Sequence, residues 1–168
     1  MANTAHRQWV VTIAVMLATH LGCNDVSAPR ESMTESGPLT VRLTGGDLAW
    51  HVQYTGPDGE FETADDVHVQ RDIYCPAGRS VRIELTSDDL LYTFAVEECG
   101  INELAVPGQV FVVEVYANQP QRISFAGDQL CGFAHEELFG QIVIQSESEF
   151  QDWLRRHVVE NNRTSLRL

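Results

Sequence analysis

The chain has 168 residues, of which 43% are hydrophobic and 21% charged, so it can bury a core without help from metals or disulfides. Its 24 acidic residues against 11 basic ones leave a net charge of −13. Such a charge argues against binding to nucleic acid or to an anionic lipid surface and favours a basic partner, unless the acidity only keeps a secreted protein soluble.

Residues 1–22 have the pattern of a signal peptide. Arg7 precedes an apolar run over residues 9–18, which is shorter than the roughly 20 residues that a membrane span needs. The run leads to Leu21-Gly22-Cys23, which is typical of a bacterial lipoprotein signal with Cys23 as the lipidated first residue, although His20 stands where that signal prefers Leu. A plain cleaved signal and a short uncleaved anchor are the alternatives. All three predict an extracytoplasmic protein, in the periplasm or on the outer face of a bacterial membrane, and the first attaches it by a lipid anchor only.

The remainder divides into three parts. Residues 23–38 are rich in Ser, Glu, Pro and Thr and predict a flexible linker. Residues 39–160 predict one folded domain, and residues 161–168 a tail.

Most of the domain has the two-residue periodicity that is typical of β-strands. Apolar residues alternate with polar ones, as in Val81, Ile83 and Leu85, which predicts strands with one buried face. Turn signals separate the strands and predict a sandwich or barrel. The predicted strands are 40–44, 48–54, 81–85, 111–116, 121–125 and 139–144, with turns at 45–46, 56–59, 76–78 and 107–108.

Only the C-terminal segment has helical spacing. Phe150, Trp153, Leu154 and Val158 fall on one helical face, and either Ser146 or Ser148 is a suitable N-cap. The sequence therefore predicts one short helix after the last strand.

An acidic loop spans residues 58–66. We expect it to be solvated, and the alternative is weak calcium binding by Asp58, Asp65 and Asp66, for which the full ligand pattern is missing.

Four segments, in the same order, resemble the soluble copper-A domain of cytochrome c oxidase subunit II, over about residues 45–155. The resemblance implies an all-β, greek-key cupredoxin-like β-sandwich with a short C-terminal helix. The segments are the aromatic strand 50–54 with Gly56-Pro57-Asp58-Gly59, the stretch from Pro76-Ala77-Gly78 to Tyr92-Thr93-Phe94, residues 101–108 ending in Ala-Val-Pro-Gly, and Cys131-Gly132-Phe133-Ala134-His135-Glu136-Glu137-Leu138-Phe139-Gly140.

The family's copper-A centre holds two copper ions through two bridging thiolates, two imidazoles, a Met sulfur and one backbone carbonyl. These soft and borderline ligands suit copper. Most of them are replaced here, so we do not expect an intact dinuclear centre. The corresponding residues are Tyr92 for the first His, Gly127 for the first Cys, Gln129 for the carbonyl, Cys131 and His135 as the retained ligands, and Leu138 for the Met. Leu48 replaces the family's electron-entry Trp.

The retained pair leaves two readings open. In one, Cys131 and His135 hold a mononuclear copper ion, with Tyr92 as a phenolate ligand and the Gln129 carbonyl in support. His51 or His68 is a candidate for a further ligand, and His157 is a weaker one. In the other reading the site is metal-free, with Cys131 a small buried residue and Leu138 filling the space of the Met. Zinc is a remaining possibility.

The two other cysteines are not family ligands. In a cupredoxin sandwich, Cys99 is expected to return near Cys75, and the extracytoplasmic location favours oxidation. We therefore predict a Cys75–Cys99 disulfide, which by the chain-entropy model contributes about 3 kcal/mol.

The resemblance implies a copper-binding electron-transfer protein or an accessory of an oxidase. The alternative is a metal-free docking module that kept the fold, and the third reading is an oxidase subunit with an unusual site. None is catalytic alone: the chain is at most a subunit or accessory of a cytochrome c oxidase-type complex. Its predicted partners are a basic redox protein or a respiratory oxidase complex. No hydrolytic constellation is present in the sequence.

Overall fold

The computed structural model describes residues 37–56, 58–128 and 135–165. The predicted signal peptide, the lipidation site Cys23 and most of the linker lie outside these residues. The described residues form ten strands and one α-helix, with short 3₁₀ helices at 97–99 and 136–138. The bounds are β1 Leu39–Gly46, β2 Ala49–Tyr54, β3 Val67–Gln70, β4 Ile73–Pro76, β5 Ser80–Ser87, β6 Tyr92–Val96, β7 Ile101–Ala105, β8 Phe111–Tyr116, β9 Gln121–Phe125, β10 Gly140–Gln145 and α1 Glu147–Ser165.

The strands build the two layers of a sandwich. One layer is a five-stranded sheet of order β3-β2-β1-β5-β8. The other contains β4-β10-β9 and the β6-β7 pair, which are joined where Ala95 and Ala126 exchange two backbone hydrogen bonds of 2.9 Å. β1 is parallel to β5 and β4 is parallel to β10, while the other pairs are antiparallel. The predicted all-β, cupredoxin-like sandwich with a C-terminal helix is confirmed.

The core follows from the alternation in the sequence. Along β5, Val81, Ile83 and Leu85 are buried between the layers while the residues between them face outward. Aromatic rings fill the centre: Trp50 packs edge-on to Phe94 at 5.9 Å, and Phe94 packs on Phe125 at 5.1 Å between ring centroids.

A two-residue turn joins β1 to β2. The turn residues are Asp47 and Leu48, with φ of 52° and 62°, and Gly46 pairs with Ala49 across it. Two positive φ values define a type I′ turn, the geometry that matches the twist of a hairpin. The predicted turn at residues 45–46 is therefore placed too early, since both glycines belong to β1.

Ser146 caps the C-terminal helix. Its hydroxyl accepts a hydrogen bond from the backbone N–H of Glu149, and the Glu149 carboxylate accepts one from the backbone N–H of Ser146 at 3.0 Å. This reciprocal pair is a capping box. On the inner face of α1, Trp153 stacks on Tyr74 with the ring centroids 4.6 Å apart, so the helix covers β3 and β4.

Four strands were absent from the sequence prediction, namely β3, β4, β6 and β7. β3 and β4 are each four residues long, and β4 ends in Pro76. β7 lacks alternation because three consecutive residues in it are exposed. Each is a strand because a neighbouring strand pairs with it, which is a tertiary effect.

The acidic loop is less solvated than expected. Asp66 is buried, and its Oδ2 accepts hydrogen bonds from the Gln53 side chain and the Glu62 backbone N–H, both at 2.7 Å. Burial raises the pKa of Asp66. The hydrogen bonds that it accepts, those from Gln53 and Thr63 foremost, lower the pKa by more than burial raises it, so the net pKa lies below the usual range. The expectation of a solvated loop is wrong for this residue.

Candidate functional site

The lost ligand positions Tyr92, Gly127 and Leu138 converge at one end of the sandwich. Tyr92 begins β6, Gly127 follows β9, and Leu138 ends the second 3₁₀ helix. Leu48 lies in the β1–β2 turn and is half-buried, and its backbone N–H reaches the Tyr92 hydroxyl. The backbone oxygens of Thr93 and Leu138 and the Trp50 ring come within contact of the Gly127 position, so these segments form one site.

Tyr92 fills the place of the first histidine ligand. The residue is fully buried, and its ring packs on Trp50 with 5.8 Å between centroids. Its hydroxyl donates to Asp89 Oδ1 at 2.8 Å and accepts from the Leu48 N–H at 3.3 Å. Burial raises the pKa of the Tyr92 phenol, and the Asp89 carboxylate raises it further. The phenolate that copper would require is therefore disfavoured.

Gly45 makes this placement of the ring possible. A Cβ on Gly45 would lie 2.5 Å from Cδ2 of Tyr92. Because any other residue at position 45 would displace the ring, the glycine and the tyrosine form a matched pair.

Asp89 links Tyr92 to the β1–β2 turn, a role that its sequence pattern does not indicate. Its carboxylate accepts hydrogen bonds from Tyr92, from the Asp47 N–H at 3.0 Å and from the Leu90 N–H at 2.7 Å. Partial burial raises the pKa of Asp89, but these bonds lower it by more, so its net pKa lies below the usual range. The only sequence signal is the Ser-Asp-Asp turn before Tyr92, which by itself reads as an ordinary solvated loop.

The Gly127 position has no room for a side chain. A Cβ built there would lie 2.9 Å from the Thr93 carbonyl oxygen, 2.9 Å from Trp50 Nε1 and 3.0 Å from the Leu138 carbonyl oxygen. Trp50 Nε1 donates to that same Leu138 oxygen at 3.0 Å. A cysteine at this position would thus have to push backbone atoms apart and break a buried hydrogen bond.

The ligand loop is the segment 127–138, which corresponds to the last group of copper ligands in the family. At its end, Leu138 and His135 are joined by a hydrogen bond. Leu138 is fully buried, and its N–H donates to the His135 carbonyl oxygen at 2.9 Å. His135 itself is half-buried. Cys131 and Gln129 lie outside the described residues, so their predicted roles as thiolate and carbonyl ligands remain predictions.

The additional histidines do not join this site. His51 and His68 are exposed on the outer face of the five-stranded sheet, whereas the neighbour of His51, Trp50, faces the core. Adjacent strand residues point to opposite faces, so His51 is directed away from Tyr92. His157 packs on Trp153 in α1, with Nδ1 2.9 Å from the Trp153 carbonyl oxygen. The suggestion of a further ligand from His51 or His68 is therefore wrong.

The predicted Cys75–Cys99 disulfide is also wrong. Cys75 is a free, buried thiol on β4, with Sγ 4.0 Å from the Val143 carbonyl oxygen on β10. Burial raises its pKa to about 12. The thiol is part of the hydrophobic core and takes no part in a disulfide.

Within residues 37–56, 58–128 and 135–165, no three His, Cys, Asp or Glu side chains are grouped so that they could hold a metal ion. In the same residues no helix is long and apolar enough to cross a bilayer.

The family model described as the periplasmic domain of cytochrome c oxidase subunit II matches residues 40–147. The chain belongs to this family. A cytochrome c oxidase subunit 2 of Thermus thermophilus is 31% identical over 142 residues, which is 82% of this chain and 83% of the relative. The alternative cytochrome c oxidase subunit 2 of Bradyrhizobium diazoefficiens is 25% identical over 138 residues, 69% of this chain and 50% of the relative. Membership of this family means that the domain is extracytoplasmic.

Solved structures share the fold. The periplasmic domain of subunit II (CoxB) of Bradyrhizobium japonicum superposes with a TM-score of 0.63 at 20% identity, over 76% of this chain and 99% of that one. CoxB in a mixed disulfide with the thioredoxin-like protein TlpA superposes with a TM-score of 0.58 at 20% identity, over 74% of this chain and 95% of that one.

The described residues do not fit a copper-A centre. The first bridging thiolate needs a side chain at position 127, where a Cβ already meets three atoms within 3.0 Å. The first imidazole position holds a phenol that is bound to a carboxylate. Among the described residues, apolar packing and hydrogen bonds hold the positions of Tyr92, Gly127 and Leu138 together.

Proposed function

We propose that this chain is an extracytoplasmic accessory domain of an oxidase-type complex that docks without carrying a copper-A centre. The observation that carries the proposal is the filled position at Gly127, where Thr93, Trp50 and Leu138 leave no space for a bridging cysteine. A dinuclear centre requires two thiolates to hold its metals together, and one remaining cysteine does not supply them.

Family membership supports an oxidase partner. The relatives from Thermus and Bradyrhizobium are named as oxidase subunits, and this chain keeps their fold. The net charge of −13 favours a partner with a basic docking surface. An affinity-tagged chain purified from native membranes is expected to bring haem–copper oxidase subunits with it, and the loss of this association at high salt would indicate an electrostatic interface.

A lipid on Cys23 would keep the domain at the membrane. The sequence pattern Leu21-Gly22-Cys23 supports this part of the proposal. Cys23→Ser should move the chain from the membrane to the soluble fraction, and an unchanged distribution would exclude lipid anchoring.

A mononuclear copper site at Cys131 and His135 is the second candidate. Two observations at the end of the ligand loop favour it. The Leu138 N–H donates a hydrogen bond to the His135 carbonyl oxygen, and His135 is half-buried. One thiolate and one imidazole are suitable copper ligands, and Tyr92 or the Gln129 carbonyl would have to complete the set.

Copper titration distinguishes these functions. The whole chain, reduced and then freed of reductant, is titrated with Cu(II) while the visible spectrum and the metal content are recorded, beside Cys131→Ser and His135→Gln. An accessory domain without copper gives no thiolate-to-copper band. A single band that disappears in Cys131→Ser supports the mononuclear site, and a purple protein with two coppers would overturn both proposals.

A further inference from the structure

Tyr92 is a buried phenol whose hydroxyl proton lies against a base. The ring is fully buried, and its hydroxyl donates a hydrogen bond of 2.8 Å to Oδ1 of Asp89. Asp89 is exposed, and its lowered pKa keeps the carboxylate ionised at neutral pH. The oxidisable ring is therefore shielded from solvent, while the group that can take its proton exchanges protons with water.

The hydrogen-bond partner of a tyrosine decides how readily the ring gives up an electron. Removing one electron from a phenol makes its hydroxyl a strong acid, so oxidation is favoured where a positioned base accepts the proton. A carboxylate is such a base, whereas a backbone carbonyl is a far weaker one. Tyr54 provides the comparison, since it is also buried but its hydroxyl donates to the Tyr74 carbonyl oxygen at 3.0 Å.

Trp50 adds a second oxidisable ring to the site. Its ring centroid lies 5.8 Å from that of Tyr92, so the two rings are in contact. The indole Nε1 donates to the Leu138 carbonyl oxygen at 3.0 Å, which is a poor proton acceptor. An electron vacancy formed on Trp50 is therefore filled from Tyr92, because the Tyr92 proton has a base to accept it.

We propose that Tyr92 is a redox-active tyrosine that passes single electrons without a metal ion in the protein. A one-electron oxidant of high potential, such as a high-valent metal complex, takes one electron from the ring and is itself reduced by one electron. The O–H bond breaks, the proton moves to the Asp89 carboxylate, and a neutral tyrosyl radical remains. A one-electron reductant restores the phenol, to which Asp89 returns the proton. The step needs no ion in the ligand loop and does not depend on the proposed docking function.

The test is flash photolysis of the whole chain in the presence of a metal chelator, with a light-generated ruthenium(III) polypyridyl complex as the oxidant. Wild type should give the absorption and electron paramagnetic resonance signals of a tyrosyl radical, and Tyr92→Phe should remove most of them. Asp89→Asn keeps the shape of the side chain but removes the base, so the radical should form at least about tenfold more slowly. Tyr54→Phe is the matched control and should leave yield and rate unchanged. Circular dichroism verifies that every variant is folded.

A tyrosyl signal of unchanged yield in Tyr92→Phe would overturn the proposal, as would a wild-type protein that gives only a tryptophanyl radical. An unchanged rate of radical formation in Asp89→Asn would also overturn it, because the carboxylate would then not be the proton acceptor. The photolysis uses neither an oxidase nor copper, so its outcome and that of the co-purification from membranes are independent of each other.

Discussion

The hydroxyl of Tyr92 donates a hydrogen bond to Oδ1 of Asp89 at 2.8 Å, from the position where the family has its first histidine ligand. The same carboxylate accepts from the Asp47 N–H in the β1–β2 turn. A hydrogen-bonded group thus connects the hairpin tip to the β5–β6 loop, at the end of the sandwich where metal ligands connect the loops in the family.

Replacing Tyr92 by Phe should destabilise the domain by about 0.5–1.5 kcal/mol, because the Leu48 N–H and the exposed Asp89 carboxylate lose the Tyr92 hydroxyl as a partner. Urea unfolding measures the change. Tyr74→Phe is the control, since the Tyr74 ring stacks on Trp153 and its hydroxyl has no hydrogen bond within the described residues. Equal losses in the two variants would contradict a special role for the Tyr92 hydroxyl.

Restoring the family's cysteine by Gly127→Cys should lower the free energy of unfolding by about 1–3 kcal/mol, since its Cβ overpacks the site. Gly127→Ala should cost nearly as much, because the crowding begins at Cβ. Gly37→Ala is the control, as a Cβ at that exposed position meets no atom within 4 Å. A Gly127→Cys protein as stable as wild type that binds two coppers would show that the site is open.

Asp89→Asn should destabilise the domain at neutral pH but much less in acid. The folded pKa of Asp89 lies below its unfolded value of about 3.9, so the ionised form contributes stability above that value. This contribution is lost as the pH falls through the lower, folded pKa. Urea unfolding from pH 7 to pH 2 should show the difference between wild type and variant shrink below about pH 4. A stability difference that grows in acid would contradict a lowered pKa for Asp89 in the folded state.

Cys75 should react with iodoacetamide only after the chain unfolds. Its burial raises the pKa to about 12, so little thiolate exists at neutral pH and none is accessible. Mass spectrometry after alkylation in denaturant without a reductant should find Cys75 fully modified. If Cys75 were modified only after prior reduction, the result would support the predicted Cys75–Cys99 disulfide instead.

Ser146→Ala should cost about 1 kcal/mol, because the capping box at the start of α1 is lost. Ser148→Ala is the matched control: its hydroxyl contacts only the Ser146 hydroxyl within the described residues, and its loss should change the stability by less than about 0.5 kcal/mol. Thermal unfolding compares the two. A larger loss for Ser148→Ala would move the cap to that residue.

Strands with strict alternation, such as β5, could be predicted from the sequence because their inward faces are encoded residue by residue. β3, β4 and β7 could not, since they are short or irregular and form only by pairing with a neighbour. The same distinction holds for the site. Motif order identified Tyr92, Gly127 and Leu138 as replaced positions, but Asp89 has no signature beyond a turn.

The sequence by itself determined the family, the sandwich and the loss of the family's ligands at positions 92, 127 and 138, because ligand chemistry depends on residue type and motif order. Only the tertiary structure decided what replaced them. Asp89 meets Tyr92 through a hydroxyl–carboxylate hydrogen bond, Cys75 is a free thiol in the core, and His51 lies on the outer face of the sheet beside Gly46. Each depends on which face of a strand a side chain occupies and on which segment packs opposite, and pairing across the sheets sets both.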